Sequence, residues 1–402
     1  MQDGSINPSD PGFRVMWEIT NETEGFERLG LSYPDPLIGT VFIEDEDRND
    51  LLGEVAVAII PGGYWPDTEA EEQGVGNVIY IVKLENGRLI KAIPAPPGYE
   101  DTQFVSTPFG YNILTGTITT KVFIGDNHGR LWRLDLSSTD PDEWELQLFY
   151  DLGVNQPIFL APVGALNQEG ELVLIVATGD TDNLTTLGTN KIVSITEKVT
   201  YDATGQVVRV EPHLNWELAF GETEIDGEII GNQGERVTGS PVIFNEVVYF
   251  TTFVPHEDPE DCCTLGYGRL WGIHYIGDDP NSTTDLIPEL DPDPDDPDDN
   301  PVRFIDLVDR NGNRENTIAF GPSIIRRPSC AIEQRTVDEF NQPIVRLINT
   351  TPPEYELVVQ VNSPGERKNI GGKERITQTI TRKLQPPPPV TVADSWATIF
   401  GY

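Results

Sequence analysis

The sequence is poor in the residues that most often bind transition metals. Its 402 residues include 3 cysteines, 4 histidines and 2 methionines, so thioether and imidazole metal sites are not expected. No apolar run reaches the roughly 18 residues of a membrane helix, which excludes membrane insertion by a helix. The opening residues, MQDGSINPSDPG, do not form a signal peptide. The chain is therefore expected to be either cytoplasmic or part of a longer or processed protein.

Basic residues are also scarce. The sequence has 27 lysines and arginines against 66 aspartates and glutamates, a formal net charge of -39. A field of that sign repels nucleic acid phosphates and anionic membrane surfaces. A strongly negative charge is compatible with bound cations, basic partners or an extracellular medium. A need for solubility alone explains the negative charge equally well. Nucleic acid is thus excluded as a partner.

A helical period is missing as well. We find no apolar stripe of period 3.6 over more than about three turns. Short runs rich in β-branched and aromatic residues, such as GNVIYIVKL and EVVYFTTFV, alternate instead with turns of Gly, Pro, Asn and Asp. Such runs are typical of strands.

Several short segments recur along the chain. GRLW ends at Trp132 and again at Trp271. WE followed by Ile or Leu begins at Trp17, Trp144 and Trp216, and each is expected to follow a loop and open a short strand. The recurring order predicts about four strands per unit, which is the pattern of a β-propeller blade. We therefore predict an all-β fold, a β-propeller of four-stranded antiparallel blades. About five blades are expected, as an incomplete part of a larger propeller. Their predicted starts are Leu37, Phe104, Pro157, Val237 and Ile318.

The predicted organisation has three parts. Residues 1–36 are expected to be the tail of a preceding blade, and residues 37–362 the propeller blades. Within the blades, residues 280–300 are expected to form an acidic, disordered-like loop that includes the tract DPDPDDPDD. Residues 363–402 are predicted to contain a basic strand segment, a proline spacer and a C-terminal closing segment.

The same segments resemble a known family. GDNHGRLWRLDL, VIYIVKLENGRLIKAI and GERVTGSPVIFNEVVYFTTFVP look like the C-terminal propeller of the PilY family of type IV pilus tip-associated proteins. The segments GLSYPDPLIG, APVGALNQEGELVLIVATGD and GYGRLWGIHY follow in the same order as in that family. The resemblance covers about Arg14 to Tyr275 and is weaker from Pro301 to Tyr402.

The resemblance implies a secreted or cell-surface bacterial protein, at the pilus tip or associated with the outer membrane. Its implied roles are pilus assembly, adhesion and surface sensing, without enzymatic activity. The implied partners are minor pilins or other pilus tip components and a host or abiotic surface. The family often binds calcium through an Asp-x-Asp-x-Asp loop before the VFIGDNHG strand. This chain has GYNILTGTITTK at that place, so the calcium site of the family is not expected there. Two further departures from the family are that this sequence shows no von Willebrand A-like region and no secretion signal.

Two other loops have the oxygen-rich spacing that Ca²⁺ prefers. EDEDRNDLLGE offers Asp45, Asp47 and Asn49. DRNGNRE offers Asp309, Asn311, Asn313 and Glu315. Neither is a complete EF-hand loop, and a polar hairpin loop is the alternative in both cases. Calcium is the one cofactor we expect.

The three cysteines permit one disulfide. Adjacent Cα atoms lie about 3.8 Å apart, below the usual disulfide span, so a bridge from Cys262 or Cys263 to Cys330 is favoured over a vicinal bridge. Both pairings stay open. A vicinal bridge would fit an alternative function, a quinone-dependent (PQQ-type) propeller dehydrogenase, whose calcium and catalytic carboxylates we cannot assemble here. The second alternative is a generic secreted scaffold of an extracellular filament.

Overall fold

The computed structural model shows a chain built from strands. The structure describes residues 15–45, 51–65, 74–111, 118–181, 184, 186–205, 207–256, 266–279, 282–291, 300–308, 314, 316–327, 331–337, 343–349, 354–362, 368–370, 373–375 and 377–384. These residues form strands β1 to β26 and one 3-10 turn, Pro141–Glu143, with no α-helix among them. No helix in this part of the chain is long and apolar enough to cross a membrane. The predicted all-β fold is confirmed.

The first two sheets are four-stranded antiparallel meanders, in the orders β1-β2-β3-β4 and β5-β6-β7-β8. The first sheet contains β1 Leu37–Asp45, β2 Leu51–Pro61, β3 Val78–Lys83 and β4 Leu89–Pro94. The second sheet contains β5 Phe109–Tyr111, β6 Lys121–Gly125, β7 Arg130–Asp135 and β8 Glu145–Asp151. Gly129 makes the tight turn between β6 and β7 with a φ of 87°, which a residue without a Cβ adopts at little cost.

The third sheet is also four-stranded, in the order β12-β11-β10-β9. It contains β9 Val163–Leu166, β10 Leu172–Ala177, β11 Lys191–Tyr201 and β12 Val207–Ala219. All six residues of β10, LVLIVA, are buried, as expected for a strand that is covered on both faces of its sheet. A short hairpin of β13 Glu224–Ile225 and β14 Glu228–Ile229 follows.

The fourth sheet has five strands where four were predicted. It is ordered β15-β17-β18-β19, and β16 also pairs with β17. Its strands are β15 Arg236–Val237, β16 Val242–Phe244, β17 Val247–Pro255, β18 Gly266–His274 and β19 Phe304–Asp306. Both β15 and β16 pair with β17. Pro241, which has no N–H to donate, lies between them and divides one sheet edge into two short strands.

The fifth sheet has three strands, in the order β20-β23-β26. Its strands are β20 Ile318–Arg327, β23 Glu354–Asn362 and β26 Thr377–Leu384. Two hairpins are inserted between them: β21 Ala331–Val337 with β22 Pro343–Asn349, and β24 Lys368–Ile370 with β25 Lys373–Arg375. Each hairpin pairs only with itself in the described strands, so β20 pairs directly with β23.

Sequential antiparallel meanders of this kind are the strand arrangement of propeller blades. The predicted propeller class is therefore confirmed. The chain divides into two compact units. Unit 1 comprises Met1–Pro162, Val176–Asp180 and Lys198–Pro212, and unit 2 comprises Val163–Ile175, Thr181–Glu197 and His213–Tyr402.

The core of unit 1 lies between its first two sheets. Val41 and Ile43 of β1 are buried in it, whereas Ile38 and Phe42 on the other face of that strand are exposed. This alternation is the period-2 pattern of a strand with one covered face. The opposite face of the first sheet packs against the N-terminal segment, through the buried residues Phe26, Leu29, Ala58, Val78, Tyr80 and Val82.

That N-terminal segment is the described part of the predicted blade tail. It forms turns and one isolated β-bridge, between Leu31 and Tyr64. Trp17 anchors it, because its indole Nε1–H donates a 2.8 Å hydrogen bond to the carbonyl oxygen of Leu84. The segment thus covers apolar surface of the first sheet without adding a strand in its described residues.

Unit 2 has its core between the fourth and fifth sheets. Leu357, Val359 and Val361, which alternate along β23, are buried against residues that include Tyr249 of β17 and Leu270 of β18. Both sheets therefore contribute one apolar face to the same core, as stacked blades require.

Candidate functional site

The two GRLW segments occupy matching places in different sheets. Arg130 and Trp132 lie in β7, and Arg269 and Trp271 lie in β18. Because side chains two residues apart point to the same face of a strand, each Arg and Trp pair can reach a common partner. In both sheets that partner is a buried carboxylate.

In unit 1 the carboxylate belongs to Asp126, which is fully buried. Its Oδ1 accepts hydrogen bonds from the backbone N–H groups of His128 at 2.8 Å and Arg130 at 2.9 Å. Its Oδ2 accepts from the indole Nε1–H of Trp132 at 2.9 Å and from the hydroxyl of Thr102 at 3.3 Å. Asp126 thus fixes the β6–β7 turn and the following strand together.

The Arg130 guanidinium completes this cluster. Its Nη1 lies 3.6 Å from Asp126 Oδ2, and it forms two hydrogen bonds with the carboxylate of Asp101, at 3.1 and 3.2 Å. The guanidinium also lies 5.0 Å from the ring centroid of Tyr99, a cation–π distance. Burial raises the pKa of the Asp126 carboxyl, against the opposing effect of its hydrogen bond from Trp132.

In unit 2 the equivalent carboxylate is Glu235, which is also fully buried. Its Oε2 accepts from Arg269 Nη1 and from the backbone N–H of Asn232, at 2.8 and 2.9 Å. Its Oε1 accepts from the hydroxyl of Thr252 at 2.6 Å and from the indole Nε1–H of Trp271 at 3.2 Å. Burial raises the pKa of Glu235, although the charge of Arg269 acts in the opposite direction.

Arg269 has further partners on its outer side. Its Nε donates to Asp306 Oδ1 at 2.8 Å, and its guanidinium lies 4.4 Å from the ring centroid of Phe304. Each cluster therefore contains one buried acid, a Thr hydroxyl, an Arg, a Trp, an outer Asp and an aromatic ring under the Arg. Since each acid is fully engaged and buried, these groups hold strands together and are not arranged to meet a substrate.

The predicted calcium residues are only partly within the described structure. Asp45 is the last residue of β1, where its backbone is paired with Leu51, and its side chain is not described. Asp47, Asn49, Asp309, Asn311, Asn313 and Glu315 lie outside the described residues. Within the described part of the chain, no three His, Cys, Asp or Glu side chains are grouped so that they could hold a metal ion.

The three cysteines also lie outside the described residues. In the strands on either side of Cys262 and Cys263, Pro255 at the end of β17 pairs with Gly266 at the start of β18. The disulfide between Cys262 or Cys263 and Cys330 therefore stays a prediction.

His128 and His274 each contact a group close to a turn. His128 lies in the β6–β7 turn, with its Nε2 3.4 Å from Asp101 Oδ2. His274 ends β18, and its Nδ1 accepts the backbone N–H of Gly277 at 3.0 Å. The first contact joins the β6–β7 turn to the segment that contains Asp101, and the second lies within the turn after β18.

An open cleft of about 880 Å³ lies in unit 2, where β17 ends and β18 begins. Sequence reasoning missed it, because its walls come from segments far apart in the chain. Its apolar lining includes Leu187, Ile229 and Val254, and its polar lining includes Asn232, Gln233 and Arg314. Arg314 binds Asp306 at 3.2 Å and lies 4.6 Å from the ring centroid of Tyr267. The described lining contains no carboxylate.

No protein-family model matches the chain. A curated protein, the type IV pilus biogenesis factor PilY1 homolog of Xylella fastidiosa (strain Temecula1), is 28% identical over 129 residues. The predicted PilY resemblance is confirmed. The match spans 29% of this chain and 9% of the PilY1 homolog, so the chain matches only a small part of that relative.

Three solved structures are similar over most of the chain. The Pseudomonas aeruginosa PilY1 C-terminal domain has a TM-score of 0.45 and 13% identity, over 83% of this chain and 74% of that one. BamB from Moraxella catarrhalis has a TM-score of 0.29 and 11% identity, over 82% and 81%. The GH93 alpha-L-arabinofuranosidase of Fusarium graminearum has a TM-score of 0.33 and 12% identity, over 89% and 96%.

Proposed function

We propose that this chain is the propeller part of a type IV pilus-associated protein that supports pilus assembly and adhesion. The observation that carries the proposal is the 129-residue similarity to the PilY1 homolog, a protein named as a pilus biogenesis factor. The proposed location is the cell surface, at the pilus tip or associated with the outer membrane. The proposed partners are minor pilins or other tip components, and a host or abiotic surface.

We propose a binding role without catalysis. Asp126 and Glu235 are the fully buried carboxylates with raised pKa values, and buried acids of this kind can be catalytic. The oxygens of both carboxylates instead already accept hydrogen bonds from Arg, Trp, Thr or backbone donors of the protein itself. Loops at the ends of a rigid propeller sheet are suited to recognition. Calcium at Asp45, Asp47 and Asn49, or at Asp309, Asn311, Asn313 and Glu315, is part of the proposal as a stabiliser of such loops.

The test is deletion of the gene in the source bacterium, followed by complementation. The deletion is expected to reduce the number of surface pili or the attachment of cells, and the wild-type gene should restore both. Normal piliation together with normal attachment would contradict the proposal. A chromophore bound to the purified protein, with dye-linked oxidation of alcohols or sugars, would overturn the non-enzymatic role.

A further inference from the structure

Three aromatic rings of unit 1 form a partly exposed cluster, the aromatic patch, which consists of Tyr33, Tyr64 and Phe159. The ring centroid of Phe159 lies 5.7 Å from that of Tyr33 and 6.0 Å from that of Tyr64, and the ring planes meet at 74° and 80°. Rings in such edge-to-face pairs are not stacked on one another. Because Tyr33 is also 51% exposed, the patch presents aromatic surface to the solvent.

Hydrogen bonds between distant segments fix the backbone of the patch. The N–H of Leu31 donates to the carbonyl oxygen of Tyr64 at 2.9 Å, and the N–H of Tyr64 donates to the carbonyl oxygen of Leu31 at 3.2 Å. The buried side chain of Gln103 holds the next residue, because its amide accepts from the N–H of Trp65 at 3.2 Å and donates to the carbonyl oxygen of Trp65 at 3.1 Å. A backbone that is ordered in advance lowers the entropic cost of binding.

Acidic residues lie close to the two tyrosines. Asp35 follows Tyr33 by two residues and is exposed. Residues 62–76, which include Tyr64, contain four acids and no base. The first of these acids, Asp67, is three residues after Tyr64, so the two Cα atoms lie within about 11 Å of each other in any arrangement of the loop.

The base that most closely precedes Tyr33 in sequence already binds the protein itself. This base is Arg28, and its Nε donates to the carbonyl oxygen of Gly74 at 3.1 Å. Residues 153–165, which include Phe159, contain no charged residue. The local charge thus has the same sign as the net charge of -39, and a field of that sign attracts cations and repels anions.

Elsewhere the chain places its own cations over rings that have an acid nearby. The Arg130 guanidinium lies 5.0 Å from the ring centroid of Tyr99 and binds Asp101. In unit 2, Arg314 also binds a carboxylate and lies 4.6 Å from the ring centroid of Tyr267. A ring with an acid beside it is therefore a cation-binding arrangement in this protein. The aromatic patch offers the same two kinds of group at the surface.

The combination of rings and acids favours one class of partner. A neutral saccharide can stack on the rings, but the surrounding negative charge does not contribute to its binding. An anionic ligand is repelled, whereas a lysine or arginine side chain gains from the ring quadrupole and from the charge together. We propose that the aromatic patch binds a lysine- or arginine-bearing segment of a partner protein. This names the chemistry of a partner for the proposed pilus function and rests on that function only for its biological setting.

The test measures binding of the blocked pentapeptide Gly-Lys-Gly-Lys-Gly to the purified chain by ligand-observed NMR and calorimetry at low salt. Matched peptides carry norleucine or glutamate in place of each lysine, and a neutral trisaccharide is measured in parallel. The norleucine peptide keeps the aliphatic side chain without the charge. We expect it to bind at least about fivefold more weakly than the lysine peptide, and we expect the glutamate peptide not to bind.

Tyr33→Leu removes one ring of the patch and keeps an apolar side chain. The loss of one exposed cation–π contact predicts an affinity for the lysine peptide that is lower by about twofold to fivefold. Tyr33→Phe keeps the ring without the hydroxyl and is expected to retain the affinity. Tyr201→Leu is the matched control, because Tyr201 is an exposed tyrosine of β11 in the same unit, and its replacement is expected to leave the affinity unchanged.

Four results would overturn the proposal. They are equal binding of the lysine and norleucine peptides, binding of the glutamate peptide or the trisaccharide alone, no peptide binding at about 10 mM, and a loss in Tyr33→Leu that Tyr33→Phe or Tyr201→Leu equals. The comparison of peptides uses the wild-type chain, so it stays decisive if a variant fails to fold. Because the assay uses purified protein, its failure is distinguishable from a normal piliation phenotype, which would overturn the pilus function instead.

Discussion

Replacing Glu235 by alanine removes the acceptor that joins four donors in unit 2. Arg269, whose side chain is 8% exposed, would lose its 2.8 Å contact with the Glu235 carboxylate, which is fully buried. Removing one partner of a buried ion pair typically costs about 3–5 kcal/mol of unfolding free energy. Arg269 keeps Asp306, and the indole of Trp271 keeps the hydroxyl of Thr252 at 2.9 Å. We therefore expect Glu235→Ala to lower the unfolding free energy by about 3 kcal/mol, the lower end of that range.

The matched comparison is Arg314→Ala in the same unit. Arg314 also pairs with Asp306, at 3.2 Å, but its side chain is 52% exposed. An exposed ion pair contributes about 0–1 kcal/mol. The loss of unfolding free energy in Arg314→Ala should therefore be at most about a third of the loss in Glu235→Ala. The two variants therefore separate burial of the pair from the mere presence of an ion pair.

The measurement is native-state hydrogen exchange of the amides in β17 and β18, which reports the opening free energy of unit 2 by itself. A double-mutant cycle with Glu235→Gln and Arg269→Met should give a coupling of about 1–3 kcal/mol. A loss below about 1 kcal/mol for Glu235→Ala, or one equal to that of Arg314→Ala, would refute the view that the carboxylate organises this sheet.

Three further predictions follow from unit 1 and from the sequence. Gly129→Ala should destabilise unit 1 by about 1–3 kcal/mol in urea unfolding, because φ is 87° and a Cβ would lie 2.7 Å from the carbonyl oxygens of Gly153 and Gln156; a neutral effect would contradict the turn geometry. Because the folded-state pKa of Asp126 is raised, its contribution to stability is present below its unfolded pKa and is lost as pH rises through the folded value. The free energy of unfolding of the wild type minus that of Asp126→Asn should therefore fall as pH rises above the ordinary Asp pKa of about 4, and a difference that rises with pH would show a lowered pKa. Calorimetric titration with Ca²⁺ should show binding that Asp309→Asn weakens, and an unchanged isotherm would exclude that loop as a site.

Sequence patterns predicted the fold well where a strand is buried on both faces. GNVIYIVKL contains β3 (Val78–Lys83), and EVVYFTTFV matches most of β17 (Val247–Pro255). Continuous apolar runs need no period to be recognised when turn residues flank them. The WE segments were each expected to open a short strand. This is correct for Trp144, which directly precedes β8, and wrong for Trp17, which lies in no strand, and for Trp216. Trp216 lies inside β12 (Val207–Ala219), because the β11–β12 hairpin is longer than the other strands of its sheet, which no local pattern indicates.

The candidate site was less predictable, because its groups converge through tertiary structure. The cleft combines Leu187, Ile229 and Arg314, which belong to segments separated by tens of residues. The two predicted oxygen-rich loops were selected by local spacing, and local spacing detects only sites built from one segment. An alternation of polar and apolar residues cannot show which loops meet at one end of a sheet.

The two GRLW segments show why a repeat identifies the strand but not its partner. In unit 1 the acid is Asp126, at the turn immediately before β7, and the pair Asp126–Arg130 can be seen in the local sequence. In unit 2 Glu235 precedes β15, on the other side of β17 from Arg269. Burying an Arg in a sheet without a carboxylate is costly, so a buried GRLW strand requires an acid from somewhere in its blade. The chain satisfies the same requirement from two different positions, which indicates that the arrangement of charges in the blade, rather than the spacing of its residues, is what recurs.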